Sequence, residues 1–230
     1  MRGMEYRYED IAGMIDHSLL APTLTAGELE GGCGLAVECG VASVCIMPYY
    51  LKRCAELLSG STVKPSTTIG FPHGGHATAV KVAEAAQAVA DGGRELDMVV
   101  NISKVLSGDW GYVRRDIEAV VEAAHASGAK VKVIFEACYL DDSQKVMLCE
   151  ICTDVGADWV KTSTGFGSGG ATAADVELMV RTVGPGVQVK ASGGVRDLDA
   201  VVRFRGLGAT RIGTSRTREI LEECRRRAAQ

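Results

Sequence analysis

The chain has 230 residues, of which 47% are apolar, with 28 glycines, 5 prolines and a formal net charge of -4. This supplies material for a sizeable core and does not fit a disordered or collagen-like chain. The weakly acidic balance speaks against a nucleic-acid partner, which needs concentrated lysine and arginine, and no run reaches the roughly 20 apolar residues of a membrane span.

The opening segment, MRGMEYRYED, is polar and charged and has no secretory apolar region. A short helical extension is expected at about residues 5–13. The first apolar run, MIDHSLL, carries Asp16 and Ser18, and the helical pattern TAGELEGGCGLAVECG follows. The second run, ASVCIMP, carries Cys45, and the third is STTIGFP. After the helical pattern HATAVKVAEAAQAVADGG comes ELDMVVNI, with Asp97 and Asn101. GYVRRDIEAVVEAAHASG then leads to KVKVIFEA, with Lys132 and Glu136. SQKVMLCEICTDVG leads to DWVKTST, with Lys161 and Ser163. The last two runs are VQVKASG, with Lys190 and Ser192, and ATRIGTS. Several helical patterns close on glycine, as a left-handed C-terminal residue requires.

Eight short strands alternating with helices indicate an α/β fold with a parallel sheet. Eight βα units in 230 residues, roughly 28 residues each, match a single-domain (β/α)8 TIM barrel spanning 1–230. The rival is an open doubly wound sheet. It would normally carry a GxGxxG turn after its first strand, where this chain has LLAPTLT.

In a barrel the active site lies at the C-terminal strand ends. Side chains alternate by two, so Asp16 with Ser18, Lys132 with Glu136, Lys161 with Ser163 and Lys190 with Ser192 share faces. If that face is the interior, three lysines meet Asp16, Asp97 and Glu136. A satisfied ion network is one reading. Yet the chain has nine lysines against sixteen arginines, and arginine serves salt bridges better. Lysine can shed its proton and act as an amine nucleophile, and burial beside another ammonium favours that. Lys161 flanked by Lys190 therefore looks like a Schiff-base arrangement.

The late glycines suggest the substrate. SGGVRD and RIGTSRT fall after strands seven and eight, where such barrels often bind phosphate on backbone N–H groups. Gly193, Gly194, Gly213 and Ser215 are the candidates. Other features are bland. Cys149 and Cys152 form a CxxC within one helical pattern with no second pair at metal spacing, and core packing is expected. The four histidines form no HExxH or HxH cluster, so no metal is expected. Arg225–Arg227 read as a solvated last helical turn. The eight cysteines fit a reducing compartment, and the cytoplasm is expected.

Together IDHSLLAPT, VCIMP, TIGFPHG, ELDMVVN, KVIFEACYL, ADWVKTSTGF, VKASGGVR and RIGTS resemble the deoxyribose-phosphate aldolase family of class I, Schiff-base aldolases, over about residues 11–222. The resemblance implies a TIM barrel with no metal or organic cofactor, often a homodimer, with a higher homo-oligomer also open. It implies cleavage of 2-deoxy-D-ribose 5-phosphate to glyceraldehyde 3-phosphate and acetaldehyde. By motif, Lys161 resembles the imine-forming lysine, Lys190 its tuning partner and Asp97 the proton-relay group. The substrate-binding set it suggests is Asp16, Ser18, Cys45, Lys132, Thr162, Gly193, Gly194, Gly213 and Ser215. Departures are Ser18 where relatives often have Thr, Ala137 where many read ET, and Arg216 in place of a small hydroxyl residue. Some relatives add a tail tyrosine, and here none follows Tyr139. Another Schiff-base aldolase and a non-catalytic phosphate-binding barrel remain alternatives.

Overall fold

A computed structural model describes residues 6–228. In chain order its elements are α1 (Tyr8–Ala12), β1 (Ile15–Leu19), α2 (Ala26–Cys39), β2 (Ser43–Ile46), α3 (Leu51–Leu57), β3 (Lys64–Ile69), α4 (Thr78–Ala90) and β4 (Glu95–Val99). There follow α5 (Ile102–Leu106), α6 (Trp110–His125), β5 (Lys130–Ile134), α7 (Asp142–Asp154), β6 (Trp159–Lys161), α8 (Ala173–Thr182), β7 (Gln188–Ser192), α9 (Leu198–Gly206), β8 (Arg211–Thr214) and α10 (Thr217–Ala228). The strands form a closed parallel barrel in sequential order, with β8 pairing back on β1. This is the (β/α)8 architecture expected from the sequence. The helical extension lies at Tyr8–Ala12, and residue 5 of the expected span is outside the described residues.

The strands are buried on both faces, and the two faces differ. Val44, Leu96, Met98, Val131, Val133, Val160, Val189 and Ile212 belong to the apolar core beneath the helices. Each such side chain contributes roughly 1.5–3 kcal/mol on burial. The alternate residues, among them Ser43, Glu95, Asp97, Lys132, Lys161, Lys190 and Arg211, are buried polar or charged groups.

Local signals fix the helix ends. Thr25 caps α2 by accepting from the Glu28 N–H, Glu28 reciprocates at the Thr25 N–H, and the helix closes on left-handed Gly40 (φ 65°). Asp141 and Gln144 make the same reciprocal cap on α7. Cys149 and Cys152 are free thiols buried in α7, consistent with packing. On α4, buried Lys81 pairs with Asp116 of α6 at 2.5 Å and donates to the Val99 carbonyl at 2.9 Å. That contact ties two helices to the end of β4, two residues past Asp97. No helix among the described residues is long and apolar enough to cross a membrane.

Candidate active site

Strand register builds the site. Lys161 of β6 lies opposite Lys190 of β7, and Asp97 of β4 lies opposite Lys132 of β5. Asp97 is the hub. Its Oδ2 accepts from Lys161 Nζ at 2.8 Å and Lys190 Nζ at 2.7 Å, while Oδ1 accepts from Lys132 Nζ at 2.9 Å. Asp16 holds Lys190 at 2.5 Å through Oδ2, and through Oδ1 accepts from Ser43 and Arg211, each at 2.6 Å. Glu95 completes the network, 2.6 Å from Lys132 and 2.7 Å from Arg211.

Counting charge leaves the network with one amine in excess. Lys132, Lys190 and Arg211 balance Asp16, Glu95 and Asp97, three against three. Lys161 is the fourth amine. A further buried cation there is uncompensated and costly. Burial lowers the Lys161 pKa below its usual value and outweighs the pull of Asp97, with Lys190 pushing the same way as burial. Burial also disfavours the Lys190 charge, but Asp16 and Asp97 prevail and raise its pKa. Burial would raise the pKa of Asp97, yet Lys132, Lys161 and Lys190 hold it well below the carboxylate range. The pair thus consists of an amine inclined to neutrality beside an ammonium held in place.

A cavity of about 680 Å³ opens above the network. Lys161, Lys190, Asp16 and Cys45 line it, and Ser18, Gly193, Gly194, Gly213 and Ser215 also line its wall. Burial pushes the Cys45 thiol up to about 11, with Asp97 adding to the effect. That shift favours the protonated thiol, and Cys45 forms part of the cavity wall. His17 also lines the cavity, and burial lowers its pKa to about 4. It is a neutral ring bonded to Thr217 at 2.8 Å.

The glycines have separate reasons. Gly193 (φ 85°) and Gly194 (φ 77°) are consecutive left-handed residues. A Cβ on Gly193 would lie 2.9 Å from the Gly170 Cα, so the strand-seven loop nests against the strand-six loop. At Gly213 the constraint is space. A Cβ there would lie 2.7 Å from the Ser192 Cβ and 3.2 Å from the Lys190 Cε. Glycine at that position leaves room for Lys190 to cross the barrel.

Several residues sit elsewhere than the alternation suggests. Lys132 is fully buried among three carboxylates and does not line the cavity. Thr162 is likewise buried away from the cavity, donating to the Ser192 carbonyl at 3.0 Å and accepting from the Ser192 N–H at 3.1 Å. It braces β6 against β7. Glu136 does not join the lysines. β5 ends at Ile134, Glu136 adopts a left-handed conformation (φ 56°), and its carboxylate takes the Thr164 N–H and hydroxyl. Asn101 caps α5 by accepting from the Lys104 N–H at 3.2 Å. Arg216 lines the rim, yet its guanidinium is 2.8 Å from Glu219 on the surface. Asp97 lies behind both lysines, outside the cavity lining.

Glu95 and Arg211 are the network members that the sequence reading missed. Each stands two residues before a residue it singled out, Asp97 and Gly213, so strict period-two counting would have found them. Among the described residues, no group of three or more His, Cys, Asp or Glu could hold a metal.

Comparison with known proteins agrees with this geometry. A deoxyribose-phosphate aldolase of Rhodopirellula baltica is 61% identical over 222 residues, 96% of this chain and 92% of the relative. One from Thermococcus gammatolerans is 49% identical over 218 residues, 94% and 97% of the two chains. Among solved structures, the tetrameric deoxyribose phosphate aldolase of Aeropyrum pernix superposes with a TM-score of 0.88 at 35% identity, covering 95% of this chain and 92% of that one. The DeoC/LacD family aldolase model matches residues 11–223, and the chain belongs to that family.

Proposed function

We infer that this protein is a class I aldolase that reversibly cleaves 2-deoxy-D-ribose 5-phosphate to D-glyceraldehyde 3-phosphate and acetaldehyde, through an imine on Lys161. The observation that carries the reading is Lys161 on the cavity wall, whose one carboxylate, Asp97, is shared with Lys190, an ammonium that also holds Asp16.

The neutral Lys161 amine attacks C1 of the open-chain sugar. Lys190 lines the cavity and gives its proton to the carbinolamine hydroxyl, which leaves as water. The iminium cation replaces the Lys190 charge, and the balance of three against three persists. Neutral Lys190 then takes the C3 hydroxyl proton as the C2–C3 bond breaks. Glyceraldehyde 3-phosphate departs and a neutral enamine stays on Lys161. Return of the proton to C2 regenerates the iminium, and water addition frees acetaldehyde and the amine. One proton shuttles and the net charge of the cage never changes. The backing carboxylate is Asp97, 2.7 Å from Lys190, and the protons belong to the coupled set.

The substrate phosphate is assigned to the backbone N–H groups of Gly193, Gly194 and Gly213 with the Ser215 hydroxyl, all on the cavity wall. Asp16, Ser18 and Cys45 are the remaining residues assigned to the sugar pocket. The tetramer of the Aeropyrum pernix relative supports a homo-oligomer, and the free cysteines support a reducing, cytoplasmic setting. The test is acetaldehyde release from deoxyribose 5-phosphate, coupled to an alcohol dehydrogenase. Parent protein should turn over, and Lys161→Ala should lose at least about 10³-fold while keeping its fold. Undiminished turnover in that variant would end the assignment.

A further inference from the structure

The ion network extends one layer deeper than the reacting groups require. Arg211 Nη1 bridges Asp16 at 2.6 Å and Glu95 at 2.7 Å, and its Nη2 reaches the other Glu95 oxygen at 3.2 Å. The guanidinium stacks on Trp159 at 4.8 Å from the ring centroid. Lys132 touches all three carboxylates, Glu95 at 2.6 Å, Asp97 at 2.9 Å and Asp16 at 3.4 Å. None of Arg211, Glu95 and Lys132 lines the cavity. Arginine, lysine and glutamate are costly to bury, and a bare barrel floor could be filled by apolar residues at lower cost. The arrangement therefore does something that apolar packing would not.

We propose that Arg211 and Glu95 are positioning residues that set the charge of the Asp16–Lys132–Asp97–Lys190 chain from beneath and so fix how readily Lys161 gives up its proton. The inference rests on Lys161 as the reacting amine. Arg211 is faced by Asp16 from β1, Glu95 from β4, Trp159 from β6 and Lys190 at its register partner on β7. Lys161 is faced by Asp97 from β4 and Lys190 from β7. Cys45 on β2 also acts on it, and Lys132 on β5 holds the other oxygen of Asp97.

The two residues act with opposite sign. Removing the Arg211 cation leaves the cage one charge more negative, so every lysine in it holds its proton more tightly. Removing the Glu95 anion leaves it one charge more positive, so Lys161 loses its proton at lower pH. Packing alone gives no such antisymmetry. At the effective dielectric of a protein interior, a unit charge one layer away is worth about one pH unit.

The experiment measures reductive methylation of Lys161 by formaldehyde and cyanoborohydride against pH, read peptide by peptide by mass spectrometry. It needs no turnover. Arg211→Met should move the Lys161 midpoint up by about one pH unit and Glu95→Gln should move it down by a similar amount. Arg211→Lys, which keeps the charge and loses the fork, should restore the parent midpoint. The acid limb of kcat/KM for deoxyribose 5-phosphate should shift in the same directions. Midpoints that stay with the parent in both variants, or move the same way, overturn the proposal. If Arg211→Met does not fold, Glu95→Gln decides alone: a downward shift supports the proposal and an unmoved midpoint overturns it. Failure of the aldolase reading looks different, because the parent would then release no acetaldehyde while its Lys161 midpoint still reported the network.

Discussion

At Lys190 the charge argument can be tested on a single residue. Lys190 and Lys161 share one Asp97 oxygen, at 2.7 and 2.8 Å. The Lys190 cation lowers the Lys161 pKa, so Lys190→Leu should raise it. A higher pKa means less neutral amine at pH 7, and each tenfold fall in the neutral fraction lowers the rate by about tenfold. Loss of the shuttled proton adds to that deficit. The pH profile should therefore be depressed at neutrality and partly recover toward alkaline pH. A uniformly scaled copy of the parent profile would mean that Lys190 does not tune Lys161. Arg216 makes the contrasting case. Its guanidinium is 57% exposed and paired with Glu219, so Arg216→Ser should change kcat/KM for deoxyribose 5-phosphate by less than about 0.5 kcal/mol, as surface pairs do. A loss of about 1.5–3 kcal/mol confined to the phosphorylated sugar would show that the side chain turns inward to the anion.

Among the elements, β4 carries Asp97 and is held from outside by α4 and α6. Lys81, Asp116 and the Val99 carbonyl meet in a fully buried contact, with the Thr78 hydroxyl 2.7 Å from Asp116. Lys81→Met strands the Asp116 carboxylate and should cost about 3–5 kcal/mol in urea denaturation. Adding Asp116→Leu should recover much of that. A single variant within about 1 kcal/mol of the parent would show that the pair is not a structural tie. The strands themselves were legible in the sequence because their outward residues are short apolar runs and the helices between them end on caps and glycines. Within a strand, alternation by two brought Asp16, Asp97, Lys161 and Lys190 together as read. The same rule failed past the strand ends. Glu136 follows the last residue of β5 by two and turns left-handed, and Asn101 caps the next helix. Alternation also gives no depth. It put Lys132 on the correct face, but did not show that three carboxylates hold it beneath the floor.

For the whole molecule, barrel closure makes the chemistry possible. Parallel register brings residues from seven strands into one buried network, with the ends of the chain's sequence joined where Arg211 of β8 meets Asp16 of β1. The cage is neutral only when one amine gives up its proton, and the cavity opens on that amine. The resulting account concerns a specific nitrogen atom, which makes it directly measurable. The protein should be incubated with acetaldehyde, reduced with borohydride, digested and mapped by mass spectrometry. A single adduct of about 28 Da on the peptide containing Lys161 is the expected result. An adduct on Lys190 or Lys132, or no adduct at all, would contradict the account.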